Sequence, residues 1–239
     1  MNLVIDVGNS AIKLAVFKNK QMLVKSIINH DALETSFAEL HNQFKILKTI
    51  VCSVTNLDAR EELFLKSHNH VLKLNSQTRV PFVNLYATPE TLGADRIALI
   101  SEATFKYPKQ AVLVIDAGSC ITYDYKNEKD EYLGGAISPG LSMRYKAVHH
   151  FTGKLPLLSR DLSYKLIGNT TKSAIHSGIE NGIVFEMNGM IDKYLAENEK
   201  LTIILTGGDA EYLRHHLKNC IFANSNFLLE GLNDLLDYN

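Results

Sequence analysis

Val4-Ile5-Asp6-Val7-Gly8-Asn9-Ser10 and Val114-Ile115-Asp116-Ala117-Gly118-Ser119-Cys120 are two versions of one phrase. Each runs from aliphatic residues through an aspartate, a small or aliphatic residue and a glycine to a small polar residue or a thiol. Alternating apolar residues follow, and each copy ends at a Lys-Asn turn, Lys18-Asn19 in the first and Lys126-Asn127 in the second. A single D-x-G carries no weight, since about one is expected by chance in a chain of this length. Two copies in matched strand–turn–strand settings predict a duplicated α/β fold. The residue types also suit one chemistry. A carboxylate at the end of a buried strand can hold a metal or its waters, and a glycine two residues on lets backbone N–H groups approach phosphate oxygens. The repeat therefore predicts a nucleotide clamped between two halves, 1–108 and 109–239.

Composition narrows the class. A chain of 239 residues with 46% hydrophobic and 21% charged residues is an ordinary globular protein of one large or two moderate domains. Its formal net charge of -1 and the lack of any Lys/Arg cluster argue against a nucleic-acid surface. Cys52, Cys120 and Cys220 are odd in number and form no C-x-x-C pair, which reads as free thiols in a reducing cytosol. The chain opens on the strand Leu3–Asp6 with no basic and apolar leader, so a secretory signal is not expected. Apolar runs such as Ala111–Ile115 are far short of the ~20 residues of a membrane span. A cytoplasmic location without a membrane partner is the expectation.

Along the chain, Leu3–Asp6 and Ile12–Phe17 read as a hairpin, with Gln21–Ile27 as a third strand. Leu33, Phe37, Leu40 and Phe44 mark a helix over Asp31–Phe44, with Asp31 as its cap. Thr49–Ser53, a helix over Leu57–Ser67 and Val71–Leu74 complete a β-β-β-α-β-α-β half. Pro89 opens a helical stretch that Gly93–Phe105 continues. The theme then repeats with strands Ala111–Asp116, Cys120–Lys126 and Glu131–Leu133 and a helix over Pro139–His150. A long helical region over Lys172–Glu197, strand Leu201–Thr206, helix Ala210–Leu217, short strand Ile221–Ala223 and helix Leu228–Leu236 close the chain.

Four further segments carry candidate chemistry, each with a plain reading beside it. In Thr91-Leu92-Gly93-Ala94-Asp95-Arg96, Asp95 either complements a helix dipole, with Arg96 a solvated charge, or takes a proton from a substrate hydroxyl while Arg96 holds an anionic group. Thr206-Gly207-Gly208-Asp209 is either a tight βα turn or a side-chain-free surface for a purine. Gly134–Gly140 is either a bare turn ahead of a helix starting at Pro139 or the wall of a substrate pocket. Asn169-Thr170-Thr171-Lys172 is a hydroxyl-rich helix start that capping alone explains. The adjacent pairs His149-His150 and His215-His216 do not face the same way on a helix and make poor metal ligands. P-loop, G-x-G-x-x-G and G-x-S-x-G motifs are absent.

Taken in order, Asp6–Ser10, Gly93–Arg96, Asp116–Ser119, Gly134–Gly140 and Thr206–Gly208 resemble the type III pantothenate kinases, of the actin/hexokinase-like superfamily. The resemblance covers nearly the whole chain and implies two ribonuclease-H-like halves around a nucleotide cleft. It implies ATP-dependent phosphorylation of pantothenate, with Mg²⁺ accompanying ATP and a monovalent cation, K⁺ or NH₄⁺. By this resemblance Asp6, Val7, Gly8, Asn9, Ser10, Ala11, Ile12 and Lys13 form the first phosphate loop, with Asp6 also at Mg²⁺, directly or through water. Ser119 contacts ATP in the second loop, and Gly207 and Gly208 lie at the nucleotide. Asp95 is the catalytic base and Arg96 holds the substrate beside Gly93 and Ala94. Tyr86 and Thr171 contact pantothenate, and Asp116 attends the monovalent cation. Ser10 and Ser119 stand where threonine is commoner, retaining a hydroxyl, and Cys120 where a small residue is usual. A homodimer is also implied. The apolar residues Ile175, Ile179, Ile183, Val184, Met187 and Ile191 fit either a helix at that interface or one buried in the monomer. Rival readings are another small-alcohol or sugar kinase of the superfamily, and a non-catalytic accessory protein.

Overall fold

The computed structural model describes residues 1–54, 59–66, 68, 71–161, 164–218 and 222–239; Cys220, Ile221 and the Leu57 and Ser67 ends of the expected second helix lie outside them. The chain divides into two compact units. The first comprises Met1–Lys109, Asn127–Leu133 and Asn226–Asn239, and the second Gln110–Lys126 and Gly134–Ser225.

In the first unit, β1 (Asn2–Val7), β2 (Ile12–Lys18), β3 (Gln21–Ile28), α1 (Leu33–Gln43), β4 (Lys48–Ser53), α2 (Ala59–Lys66) and β5 (Val71–Lys73) follow in order. The sheet runs β3-β2-β1-β4-β5. β2 is antiparallel to both its neighbours, and β4 is parallel to β1 and β5. Two-residue β6 (Val83–Asn84) and α3 (Ala94–Lys106) come next. The second unit holds β7 (Val112–Ala117), β8 (Cys120–Lys126), most of β9 (Glu131–Pro139), α4 (Leu141–His150), α5 (Thr171–His176), α6 (Gly182–Glu197), β10 (Thr202–Thr206), α7 (Ala210–Leu213) and β11 (Phe222–Ala223). Its sheet runs β11-β10-β7-β8-β9, and β6 follows as a sixth strand, pairing in parallel with Glu131 and Tyr132 at the start of β9, which belong to the first unit. The closing helix α8 (Phe227–Tyr238) belongs to the first unit, where it packs on α3, β1 and β4.

The repeat seen in the sequence is a repeat of topology. Starting from the third strand, both sheets have the same order, β3-β2-β1-β4-β5 and β9-β8-β7-β10-β11. In each, the central strand is antiparallel to the next strand in sequence and parallel to the strand on its other side. Asp6 and Asp116 are the penultimate residues of those two six-residue central strands. Each sheet has its own core. Leu3, Ile5 and Val7 bury against Leu33, Phe37 and Leu40 of α1, and Leu113, Ile115 and Ile203 against Ile183, Met187 and Ile191 of α6.

Several local expectations need correction. Asp31 does not cap α1; it lies inside a 3₁₀ turn, His30–Ala32, and the cap position is Ala32 with no side-chain bond. Pro89 opens a separate 3₁₀ turn that ends at Thr91, and α3 starts afresh behind Gly93. The middle of α3 is buried on all sides, from Arg96 to Thr104. Gly134–Pro139 is neither a bare turn nor the start of a helix, but the continuation of β9, with α4 beginning after Gly140. Gly135 there serves close approach, since a Cβ on it would lie 1.5 Å from the Tyr123 carbonyl oxygen of the neighbouring strand, whereas Gly134 has φ +107°. The region Lys172–Glu197 is two helices joined by a π turn, Ser177–Asn181. Ile179, Ile183, Met187 and Ile191 all enter the unit's own core, with Ile175 and Val184 packed against it, so the monomer-burial reading of that apolar pattern holds.

A buried acid on α3 went unread. Glu102 has no exposed surface; Lys106 lies 3.0 Å from one of its oxygens and also pairs with Glu230. Burial outweighs that shared partner and pushes the Glu102 carboxyl up from 4.5 to about 7. Because the folded state then binds the proton more tightly than the unfolded one, the molecule loses stability as pH rises from about 5 to about 8. At about 1.4 kcal/mol per pKa unit, the loss is of order 3 kcal/mol. Glu102→Gln should flatten that dependence in melting curves across this range; an unchanged slope would remove Glu102 as its source.

Candidate active site

In the first unit the strand ends position Asp6. The β1–β2 ladder sets Lys13 directly opposite it, so both side chains share a face, and the Lys13 Nζ stands 3.0 Å from Asp6 Oδ2. Asp6 is 4% exposed and Lys13 reaches outward. The Gly8 N–H closes the loop by donating to Ala11 O at 3.1 Å, and His30 Nε2 lies 3.2 Å from Gly8 O. Val7 and Ile12 are fully buried, so of the expected loop contacts these two offer a ligand only backbone, whereas Asn9 and Ser10 are exposed.

The second constellation of this unit sits at the start of α3. Gly93 is the N-cap, and Ala94, Asp95 and Arg96 form the first turn. Asp95 Oδ1 accepts the Arg96 N–H at 2.8 Å, and its carboxylate is half-buried where it complements the helix dipole. Arg96 is 5% exposed, which overturns its reading as a solvated charge. A guanidinium taken out of water needs compensation. Here it lies over the Tyr86 ring, 5.4 Å from the centroid, and 6.0 Å from that of Tyr132. Asp95, Arg96 and Tyr86 are thus brought together.

In the second unit Asp116 faces two strands, aligned with Thr122 of β8 and Thr206 of β10. Gly207 follows with φ +97°, and a Cβ there would lie 2.4 Å from Asp116 Oδ1 and 2.4 Å from Ala117 O. The Asp209 N–H donates to that same Ala117 carbonyl at 3.0 Å, and the Gly140 N–H to Ser119 O at 3.1 Å. The β7–β8 turn, the start of α4 and the β10–α7 turn are therefore stitched into one surface carrying Asp116, Ser119, Gly207 and Gly208, with Ser119 and Gly208 exposed. Asp209 opens on a cavity of about 590 Å³ lined also by Ser142, Lys146, Ser159 and Arg160. Burial pushes the Asp209 carboxyl up, and Arg160 at 3.5 Å pulls it back. Thr171 is exposed at the first position of α5. The capping box belongs to Thr170 and Ser173, so capping does not use the Thr171 hydroxyl.

Tyr132, Glu180 and Glu186 lie outside every motif of the sequence. Glu180, on the π turn, is fully buried and accepts the hydroxyls of Tyr145 at 2.8 Å and Tyr212 at 2.9 Å. Glu186 accepts from Ser138 and Arg144, each at 2.5 Å, and ties β9 and α4 to α6. Burial opposes its charge, but those hydrogen bonds prevail and hold the carboxyl below its usual range. No spacing pattern marks these acids, since their partners lie dozens of residues away.

A family model described as type III pantothenate kinase matches residues 2–193. Type III pantothenate kinases of Christiangramia forsetii and Bacteroides fragilis are 53% and 41% identical over 240 residues, spanning 100% of this chain and 99% and 98% of theirs. Among solved structures, a Campylobacter jejuni protein described as a "conserved putative Baf family transcriptional activator" has a TM-score of 0.68 at 22% identity, over 99% of this chain and 98% of that one. The inorganic polyphosphate/ATP-glucomannokinase of Arthrobacter sp. strain KM has a TM-score of 0.52 at 14% identity, over 99% and 96%. At such identities these two bear on the fold alone, and they agree with the duplicated ribonuclease-H-like architecture that the twin sheets display. With the family model over most of its length and relatives matching end to end, the chain belongs to the type III pantothenate kinase family.

Proposed function

We propose that this chain transfers the terminal phosphoryl group of ATP to the primary hydroxyl of pantothenate, the first step of coenzyme A biosynthesis. The observation that carries the reading is the adjacency of a half-buried carboxylate and a buried guanidinium, Asp95 and Arg96, at the start of α3. Asp95 accepts or orients the hydroxyl proton, and Arg96 holds the substrate carboxylate. Gly93 and Ala94 line the approach, and Tyr86 and Thr171 contact pantothenate. Residues Asp6 to Lys13, with Ser119, Gly207 and Gly208, receive ATP, Lys13 bringing positive charge to the triphosphate. Phosphoryl transfer asks for positioning and charge neutralisation more than covalent chemistry, which such a set supplies. In this reading residues 1–108 and 109–239 are the two copies of the duplication.

The carboxylates suit the ions that the family implies. Asp6 and Asp116 offer hard oxygen donors at matching strand ends, and Mg²⁺ needs only one or two carboxylates beside phosphates and water. Asp6 would hold Mg²⁺, directly or through water, and Asp116 the monovalent cation, K⁺ or NH₄⁺. Bound there, the ions neutralise charge on the phosphates. A cytoplasmic location accords with Cys52 and Cys120 standing outside any disulfide. Among the described residues no helix is long and apolar enough to cross a membrane. A homodimer is supported by the outer face of α6, where Phe185 is 63% exposed one turn from the exposed Gly189. Light scattering should give about twice 26.7 kDa, and a clean active monomer would sink this assignment.

Arg96→Lys tests the substrate role. A bidentate fork on a carboxylate is not replaced by a point charge, so the KM for pantothenate should rise about tenfold or more while that for ATP stays within about twofold. Equal changes in the two constants would assign Arg96 to the fold or to the nucleotide.

A further inference from the structure

Tyr132 is fully buried at the start of β9, in the short stretch Asn127–Leu133 that belongs to the first unit. Its ring stacks on Tyr86, with centroids 5.9 Å apart and planes 25° from parallel. Phe82 supports it edge-on at 5.9 Å and 71°. Arg96 lies within about cation–π range of both tyrosines, 5.4 Å from Tyr86 and 6.0 Å from Tyr132. The backbone holds the arrangement in place. β6 pairs its two residues with Glu131 and Tyr132. The Leu85 N–H donates to Tyr132 O at 3.0 Å, and the Tyr86 N–H to Asn84 Oδ1 at 3.0 Å. The short strand thus acts as a hook that delivers Tyr86 onto the face of Tyr132.

An arginine side chain has several rotatable bonds, and recognising a carboxylate through its fork demands that the guanidinium plane be set beforehand. Asp95 Oδ1 accepts the Arg96 backbone N–H, and the two stacked aromatic rings beside the guanidinium can set its plane. Their π faces attract the cation and cost no solvation once Arg96 is buried. Tyr86 is half-buried and lies toward solvent, whereas Tyr132 is the fixed base of the stack.

We propose that Tyr132 is a positioning residue of this enzyme, which orients the Arg96 guanidinium, directly and through Tyr86, to receive the carboxylate of pantothenate. The proposal rests on the role of Arg96 given above.

The test changes the charge on the ring face without changing the packing. Position 132 is filled with phenylalanine and then with singly, doubly and triply fluorinated phenylalanine, and Tyr132→Phe serves as the reference. Fluorination drains the π face in steps, so the KM for pantothenate should climb along the series to about tenfold at the last member. The melting temperature, the KM for ATP and kcat at saturating pantothenate should stay constant. A flat series, or a parallel rise in the KM for ATP, overturns the proposal. Repeating the series in an Arg96→Gln background separates the two readings, because a residue acting through Arg96 has nothing left to act on. There the dependence on fluorination should vanish, and its persistence overturns the proposal. If Arg96→Gln raises the KM for pantothenate but the first series is flat, only the role of Tyr132 falls. If Arg96→Gln leaves that KM unchanged, the substrate role of Arg96 falls and takes this proposal with it.

Discussion

Asp95→Asn should lower kcat for pantothenate by about a hundredfold or more, since general-base catalysis is worth about 10²–10⁴. The fold should not notice. An amide has nearly the volume of the carboxylate, its oxygen can still accept the Arg96 N–H, and a half-buried site leaves no cavity to collapse. What is lost is the capacity to take or orient the hydroxyl proton. Phosphoryl transfer draws most of its acceleration from positioning and electrostatics, so the effect belongs toward the lower end of that range. The measurement is kcat alongside a melting curve and the KM for ATP. Retention of more than about a tenth of the activity would be too small a loss for a base and would remove Asp95 from that role.

The duplicated sheet was legible because it rests on local pattern. A buried strand that ends in Asp-x-Gly and turns back into alternating apolar residues describes one hairpin, and two such hairpins describe two like sheets. Asp95 and Arg96 were legible as a pair for the same reason. The environment of Arg96 was not. Nothing within the helix says that Tyr132, 36 residues further on and past the expected domain boundary, returns to lie beneath it (132 − 96). Glu102 is a similar case. The sequence shows Glu102 and Lys106 four apart, as on any solvated helix, and α8 packing over α3 accompanies the burial of Glu102 while Lys106 stays exposed. Glycine was the residue type most open to misreading. At Gly134-Gly135 it looked like a turn, yet the chain there continues as a strand pressed against β8. Glycine answers to two needs, an unusual φ and the absence of a Cβ, and sequence alone does not separate them.

That ambiguity is sharpest at Gly207 and Gly208, which the structure resolves into two unlike residues. Gly207 has φ +97°, and a Cβ on it would meet Ala117 O and Asp116 Oδ1, each at 2.4 Å. Both obstacles are hard to move: the carbonyl also accepts the Asp209 N–H, and the carboxylate sits at the end of the central strand. Gly207→Ala should therefore cost roughly 1–3 kcal/mol from the left-handed backbone alone. For a chain of this size that lowers the melting temperature by about 3–10 °C. It should also push the Asp116 carboxylate aside and blunt any activation by K⁺. Gly208 is exposed and has nothing within 4 Å of its would-be Cβ, so Gly208→Ala should leave stability within about 0.5 kcal/mol of the parent. If this bare surface takes the purine of ATP, the added methyl should raise the KM for ATP several-fold while the pantothenate constant stays put. An unchanged KM for ATP would make Gly208 an ordinary turn residue. A Gly207→Ala protein that melts with the parent would mean the turn relaxes freely, and that Asp116 is not held by it.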